Sequence, residues 1–280
     1  MNRAKQKRGF TLVELLLVIV IIGILAVASF SFISAGFNIY SQGVKRQEAV
    51  AQSRFILTRL SKELRHATPN SLRLNCDNAS IGACSTQQCL EFTPFLSATH
   101  YTNYLPTVAP FNISAVDFEL NNLTQPQTGS WATIYPLNSP DIYDESNNKR
   151  LQVSAFNSSA TSAIDEWQFS KAFAQESPSK RLYLLDQPVS FCVEGNSLYR
   201  YSNYGFTTSQ LDAASLQVSS GVKRDLMSNY ISNDLTSSAF FILSEVTLQR
   251  SGVVNVFAQM GFNDTEQISI SHEVYVPNVP

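Results

Sequence analysis

Arg8, Gly9, Phe10 and Glu14 are the residues of this chain whose types and spacing could do chemistry. Glu14 is a lone acid at the edge of a run, Leu15 to Val44, that holds no charged residue. A carboxylate in hydrocarbon costs about 2.5–3.5 kcal/mol on insertion scales. Such an acid either lies at the interface and snorkels outward, or meets a cation once the chain is assembled with others. The second outcome is the expectation here. Upstream, Arg3, Lys5, Lys7 and Arg8 form a short basic leader without an acid. The chemistry this pattern offers is charge pairing inside an apolar helix assembly, not turnover of a substrate.

Other constellations are weaker. No GxSxG, HExxH, P-loop or GxGxxG stands in a fitting context, so no catalytic residue is assigned and the chain is not expected to be an enzyme. Asp141, Asp144 and Glu145 cluster in one polar stretch but lack a full oxygen-ligand set for calcium, and read as a solvated loop. Four cysteines, Cys76, Cys84, Cys89 and Cys192, form an even set without a CxxC pair, and His66, His100 and His272 are scattered. That favours two disulfides over a metal site, and neither metal nor cofactor is expected. Of the three possible pairings, the favoured one closes a short loop with Cys76–Cys84 and ties two distant strands with Cys89–Cys192. Trp131, Trp167 and the many tyrosines read as core or strand-pair residues rather than a sugar platform.

The elements that must carry these residues follow from hydropathy. A bilayer span needs about 20 apolar residues, and residues 15–39 supply them. The basic leader stays on the cytoplasmic side, so the remainder is exported. An ordinary secretory signal fits less well, although Ala26-Val27-Ala28 has its cleavage pattern: the apolar run continues through Phe30, Phe32, Ile33 and Phe37. Beyond the run, Val50, Ser53, Leu57, Leu60, Leu64 and Ala67 recur at helical spacing, with Arg46, Glu48, Arg54, Arg59, Lys62 and Arg65 opposite. Arg59 and Glu63 are four apart and can pair. Pro69 ends the pattern, so one helix is expected over 10–68, followed by a β-rich domain over 69–280.

That domain reads as short strands: 71–75, 89–94, 113–120, 132–135, 150–155, 166–169, 181–185, 189–193, 198–202, 240–243, 246–250, 253–260 and 268–276. Glu194-Gly195-Asn196-Ser197 signals a hairpin. Residues 210–217 and 224–230 are expected to be short helices. Apolar residues make up 44% and charged ones 15%, so a core is available. Removing the four leader cations takes the formal net charge from −2 to −6. A mildly acidic exported chain without a basic, aromatic-interleaved run is not expected to bind nucleic acid directly.

Lys7-Arg8-Gly9-Phe10-Thr11-Leu12-Val13-Glu14 with its apolar continuation resembles the type IV prepilin signature. The resemblance implies a leader over 1–9, cut between Gly9 and Phe10 by a prepilin peptidase, and N-methylation of Phe10. It implies that Glu14 pairs with the terminal amine of a neighbouring subunit. It also implies an α+β pilin-like fold, with a long N-terminal helix on an antiparallel-rich β domain. The implied setting is the inner membrane, in contact with lipid and an assembly platform, then a pilus shared with minor and major pilins. Phe191-Cys192-Val193-Glu194-Gly195-Asn196-Ser197-Leu198-Tyr199-Arg200-Tyr201, the end from His272 to Pro280 and the helix over 54–65 resemble MshO-type minor pilins of the mannose-sensitive haemagglutinin pilus. These are related to J-type pseudopilins of type II secretion, which is the alternative; a tip adhesin is a third. Residues 95–185 carry none of this resemblance. In such a setting the Asn-x-Ser/Thr triplets at Asn78, Asn112, Asn122, Asn157 and Asn263 carry little weight as glycan acceptors.

Overall fold

A computed structural model describes residues 9–76, 84, 86–116, 125–158, 162–244, 252–261 and 266–276. The expected strand at 246–250 and the triplet residues Asn78, Asn122 and Asn263 lie outside this set. The first element is a single helix, α1, Leu12–Arg65. It contains no proline and is rich in Leu, Ile, Ala and Val, so nothing interrupts its backbone hydrogen bonds. Its last turn tightens, with the His66 and Ala67 amides donating to the carbonyls three residues back. The chain divides into two compact units, Met1–Glu48 and Ala49–Pro280. In the first, the large apolar side chains from Leu12 to Val44 are exposed.

In the second unit, the helix from Ala49 onward buries Ala49, Ser53, Ile56, Leu60 and Leu64. The buried stripe is therefore turned by about one residue from the expected one: Val50 and Leu57 are only half-buried. Each fully buried Ile or Leu contributes about 1.5–3 kcal/mol, so this stripe, not helix propensity, seats the helix. It lies on an antiparallel five-stranded sheet, in order β1 (Arg73–Cys76), β2 (Gln87–Phe92), β9 (Val189–Glu194), β10 (Ser197–Ser202), β11 (Lys223–Ser228). A three-stranded antiparallel sheet, β12 (Phe241–Ser244), β13 (Gly252–Gly261) and β14 (Gln267–Val276), completes the same core through Phe241, Val254, Val256, Val274 and Val276. The architecture is α+β, with the part of α1 from Ala49 onward packed on antiparallel sheets.

Strand β9 is buried on both faces. Val189, Phe191 and Val193 face the helix side, while Cys192 joins Cys89, Tyr201, Ala213 and Leu216 in a second cluster. A short helix, α3 (Ala213–Val218), covers that cluster, and Asp212 caps it by accepting from the Ser215 amide at 2.8 Å. Glu194 and Ser197 face each other across Gly195-Asn196, the hairpin the sequence signals; Gly195 has φ 55°, which glycine adopts without strain.

Between β2 and β9 the chain makes an excursion. It holds β3 (Phe95–His100), β4 (Phe111–Val116), β5 (Trp131–Thr133), β6 (Arg150–Asn157), β7 (Ile164–Phe169) and β8 (Arg181–Leu185), in sheet order β3-β8-β5-β6-β7-β4. The outer strands then meet. Tyr101 bridges Ala115, and the Thr102 amide donates to the Ser114 carbonyl at 2.8 Å. The sheet thus closes into a small barrel filled by Tyr101, Ile113, Leu151, Trp167, Phe169 and Leu184. The excursion begins and ends at one place. Phe92 pairs with Val189, and the Asp186 amide donates to the Pro94 carbonyl at 2.9 Å. Residues 95–185, which lack the family resemblance, are thus an insertion into a two-strand pair.

Two expectations are corrected. Residues 224–230, expected as a helix, lie mostly in strand β11, which pairs with β10 through Tyr201–Arg224 and Arg200–Asp225. Arg224 stacks 3.5 Å over the Tyr199 ring and donates to Glu194 at 3.0 Å, so cross-strand contacts override the polar local pattern. Strand β3 was not expected at all. Its inward residues are Ser97 and Thr99 while Leu96 and Ala98 face out, which inverts the usual apolar alternation.

Candidate functional site

Gly9, Phe10 and Thr11 precede α1 in non-helical backbone and are exposed. Thr11 is the N-cap. Its Oγ1 accepts from the Glu14 amide at 3.3 Å, and its carbonyl accepts from the Leu15 amide at 3.2 Å. Thr11 and Glu14 have the Thr-x-x-Glu spacing of a capping box, a signal present in the sequence but not read there. Glu14 is the acid of the first turn, where the helix dipole favours negative charge. The Gly9–Phe10 bond thus stands just outside a fixed helix start. Among the described residues, and apart from Gly9 and its chain neighbours, no atom lies within 4 Å of where a Cβ on Gly9 would be. The helix beyond is long and apolar enough to cross a membrane, and none of its most apolar window is buried. Gly23, Gly36 and Gly43 interrupt neither the helix nor any contact within 4 Å.

The cysteines are joined as Cys76–Cys84 and Cys89–Cys192. Cys89 and Cys192 stand directly opposite in the β2–β9 pair, so residues 103 apart in sequence are neighbours in space.

Of the acidic cluster, only Asp141 departs from the expected solvated loop. Asp141 is buried in a one-turn helix, α2 (Pro140–Tyr143), where it accepts from the Leu137 amide at 2.8 Å and pairs with Lys149 at 3.0 Å. Asp144 caps the following 3-10 turn, and hydrogen bonds from Ser146 hold its carboxyl below the usual range. Glu145 stays exposed, 3.9 Å from the exposed Lys171. Among the described residues no cluster of three or more His, Cys, Asp or Glu is placed to hold a metal. Trp167 is fully buried in the barrel, and Trp131 is half-buried against Arg150 and Phe206.

Sequence reasoning missed a polar seam between the barrel and the five-stranded sheet. Arg73 donates to Glu91 at 2.6 Å and stacks 3.6 Å over the Tyr143 ring. Tyr143 donates to the Ser71 carbonyl at 3.0 Å, and Tyr204 donates to Glu91 at 3.0 Å. Burial raises the Glu91 carboxyl, against the lowering effect of Arg73, and burial lifts both tyrosines well above 10. Beside this seam Arg150 lies between Trp131 at 3.9 Å and Phe206 at 4.1 Å, and burial lowers its guanidinium to about 10. Nothing in the spacing of these residues marks them, because strands far apart in sequence bring them together.

Residues 4–30 match the family model described as the prokaryotic N-terminal methylation motif. No curated protein and no solved structure matches the chain. The chain carries a type IV prepilin-like N-terminal methylation motif on an apolar helix fit for membrane anchoring, ahead of a β-rich domain.

Proposed function

We propose that this chain is a structural subunit of a type IV pilus-like filament, made as a precursor and matured at its N-terminus. Prepilin peptidase cuts Gly9–Phe10 on the cytoplasmic face, and Phe10 is then N-methylated. One observation carries the reading: exposed, non-helical Gly9 and Phe10 precede a Thr11-capped helix with Glu14 in its first turn and exposed apolar residues to Val44. In a bundle of such helices, the new amine and the Glu14 carboxylate each need a partner, and a neighbouring subunit supplies it. Before assembly the helix rests in inner-membrane lipid as a single pass with the C-terminal domain in the periplasm. The chain's fine assignment is an MSHA-type minor pilin in a tip or initiation complex, engaging the assembly platform and other pilins. Affinity purification of the full chain from bacterial membranes tests this. Recovery of other minor pilins supports it, and recovery of type II secretion components in their place moves the assignment to a J-type pseudopilin.

A second reading, a tip adhesin, is favoured by the barrel. It is inserted at a two-strand neck, so the helix-and-sheet scaffold closes without it. Loss of surface adhesion with filaments still assembled, on alteration of exposed barrel residues such as Tyr104 and Val108, supports that role.

A further inference from the structure

Strand β14 is the outer strand of its sheet. It pairs with β13 over all ten residues, from Gly252–Val276 to Gly261–Gln267, and has no second strand partner among the described residues. Its even-numbered side chains turn toward the core: Val274 and Val276 are buried, and Ile268 packs on the same cluster. His272 stands in that row, its Nε2 2.9 Å from the Ser61 Oγ of α1. Between this strand and the helix runs a groove of about 440 Å³. Arg54, Leu57, Thr58, Lys62, Arg65 and His272 line it.

The groove's charge is one-sided. Arg54, Lys62 and Arg65 make no ion pair among the described residues, and no carboxylate lines the groove. The neighbouring flank of the same helix differs, because there Glu63 is held by both Arg59 and Arg200. Residues 49–65 carry four cations and one acid, whereas residues 66–280 carry ten cations and nineteen acids. Unpaired cations gathered over an apolar floor, beside an open strand edge, make a surface for an extended acidic segment.

We propose that β14 and the cationic face of α1 together form a docking groove for an acidic β-strand from another subunit. The strand adds to the free edge of β14, and its carboxylates reach Arg54 and Lys62. The spacing agrees. Eight helical residues separate the two cations by about 12 Å, and residues i and i+4 of a strand, which share a face, lie about 13 Å apart. Acids belong on that face alone, since Glu273 is exposed on the opposite side of β14 and would repel them. That the strand comes from a co-assembled subunit rests on the reading above; the chemistry of the groove does not.

The test uses the full-length chain in detergent and a fluorescent nine-residue peptide of alternating Thr and Val, with Asp at its third and seventh positions. Binding is read by fluorescence anisotropy at low salt. The proposal expects binding that weakens with salt and falls by about tenfold or more in Arg54→Glu/Lys62→Glu. A peptide with Asp moved to the sixth and eighth positions, which share a face two residues apart, binds more weakly. N-methylating alternate peptide amides keeps the test clear of any folding defect: one alternate set abolishes binding and the other spares it. No binding, equal loss from both sets, or indifference to the charge reversal overturns the proposal. So does displacement of the peptide by anionic phosphatidylglycerol vesicles that bind the same cations, which would make the face a lipid contact. None of these outcomes depends on how the N-terminus is processed.

Discussion

Replacing Gln88 by Leu should detach the three-stranded sheet that carries β14. Gln88 is fully buried in β2 and spans two sheets. Its Nε2 donates to the Phe241 carbonyl at 2.8 Å, and its Oε1 accepts from the Phe240 and Phe241 amides at 3.0 and 2.8 Å. Leu strands two buried donors and one acceptor. At about 1–3 kcal/mol for each unmade buried group, the loss is about 3–9 kcal/mol. Burying a Leu returns about 1.5–3 kcal/mol, leaving a net cost of about 4 kcal/mol. The two tryptophans lie in or against the barrel, so fluorescence is blind to this joint. Amide hydrogen exchange is the assay. Protection in β12 and β13 should fall by about a thousandfold, since 1.4 kcal/mol is about tenfold, while β7 in the barrel keeps its protection. Unchanged protection in β12, or equal loss in β7, would refute the reasoning. Gln88→Glu gives the converse check. A carboxylate still accepts from both amides but faces the Phe241 carbonyl, so protection should recover as acid protonates it.

Glu14→Ala leaves the Thr11 cap intact, because the cap uses the residue 14 amide. Membrane insertion should therefore be unchanged while incorporation into filaments falls, and normal incorporation measured by pull-down with other pilins counts against the pairing. Non-reducing peptide mapping should return Cys76–Cys84 and Cys89–Cys192; four free thiols would contradict it. The Glu91 carboxyl is raised above 4.5 by burial, so the folded state binds a proton more tightly than the unfolded one. Its contribution to stability should fall as pH rises from about 4.5 through the raised value. Glu91→Gln removes that slope, and an unchanged slope in urea titrations across the window would show that Glu91 does not set it.

The apolar helix and the hairpin were legible because their signals are local. The uncharged apolar run and the turn at Gly195-Asn196 each act on nearby backbone or on solvent. The stripe on α1 was legible to within one residue, since periodicity gives a face but the sheet beneath decides its angle. What was not legible depends on partners distant in the chain. Ser97 and Thr99 face inward because the barrel closes around them, which no alternation reveals. Arg224 sits in a strand because Tyr199 and Glu194 await it. The barrel could be suspected only as a stretch without resemblance, and the seam of Arg73, Glu91, Tyr143 and Tyr204 exists only once it docks. The groove beside β14 was hidden for the same reason: Ser61 and His272 are 211 residues apart.

The central claim is that the Gly9–Phe10 bond is a processing site and the helix behind it a permanent assembly surface. Mass spectrometry of the intact chain recovered from bacterial membranes tests it most directly. The account predicts a chain that begins at N-methylated Phe10 and keeps Glu14 and the whole apolar helix. A chain beginning at Ser29, after Ala26-Val27-Ala28, would contradict it and leave a secreted protein without its anchor.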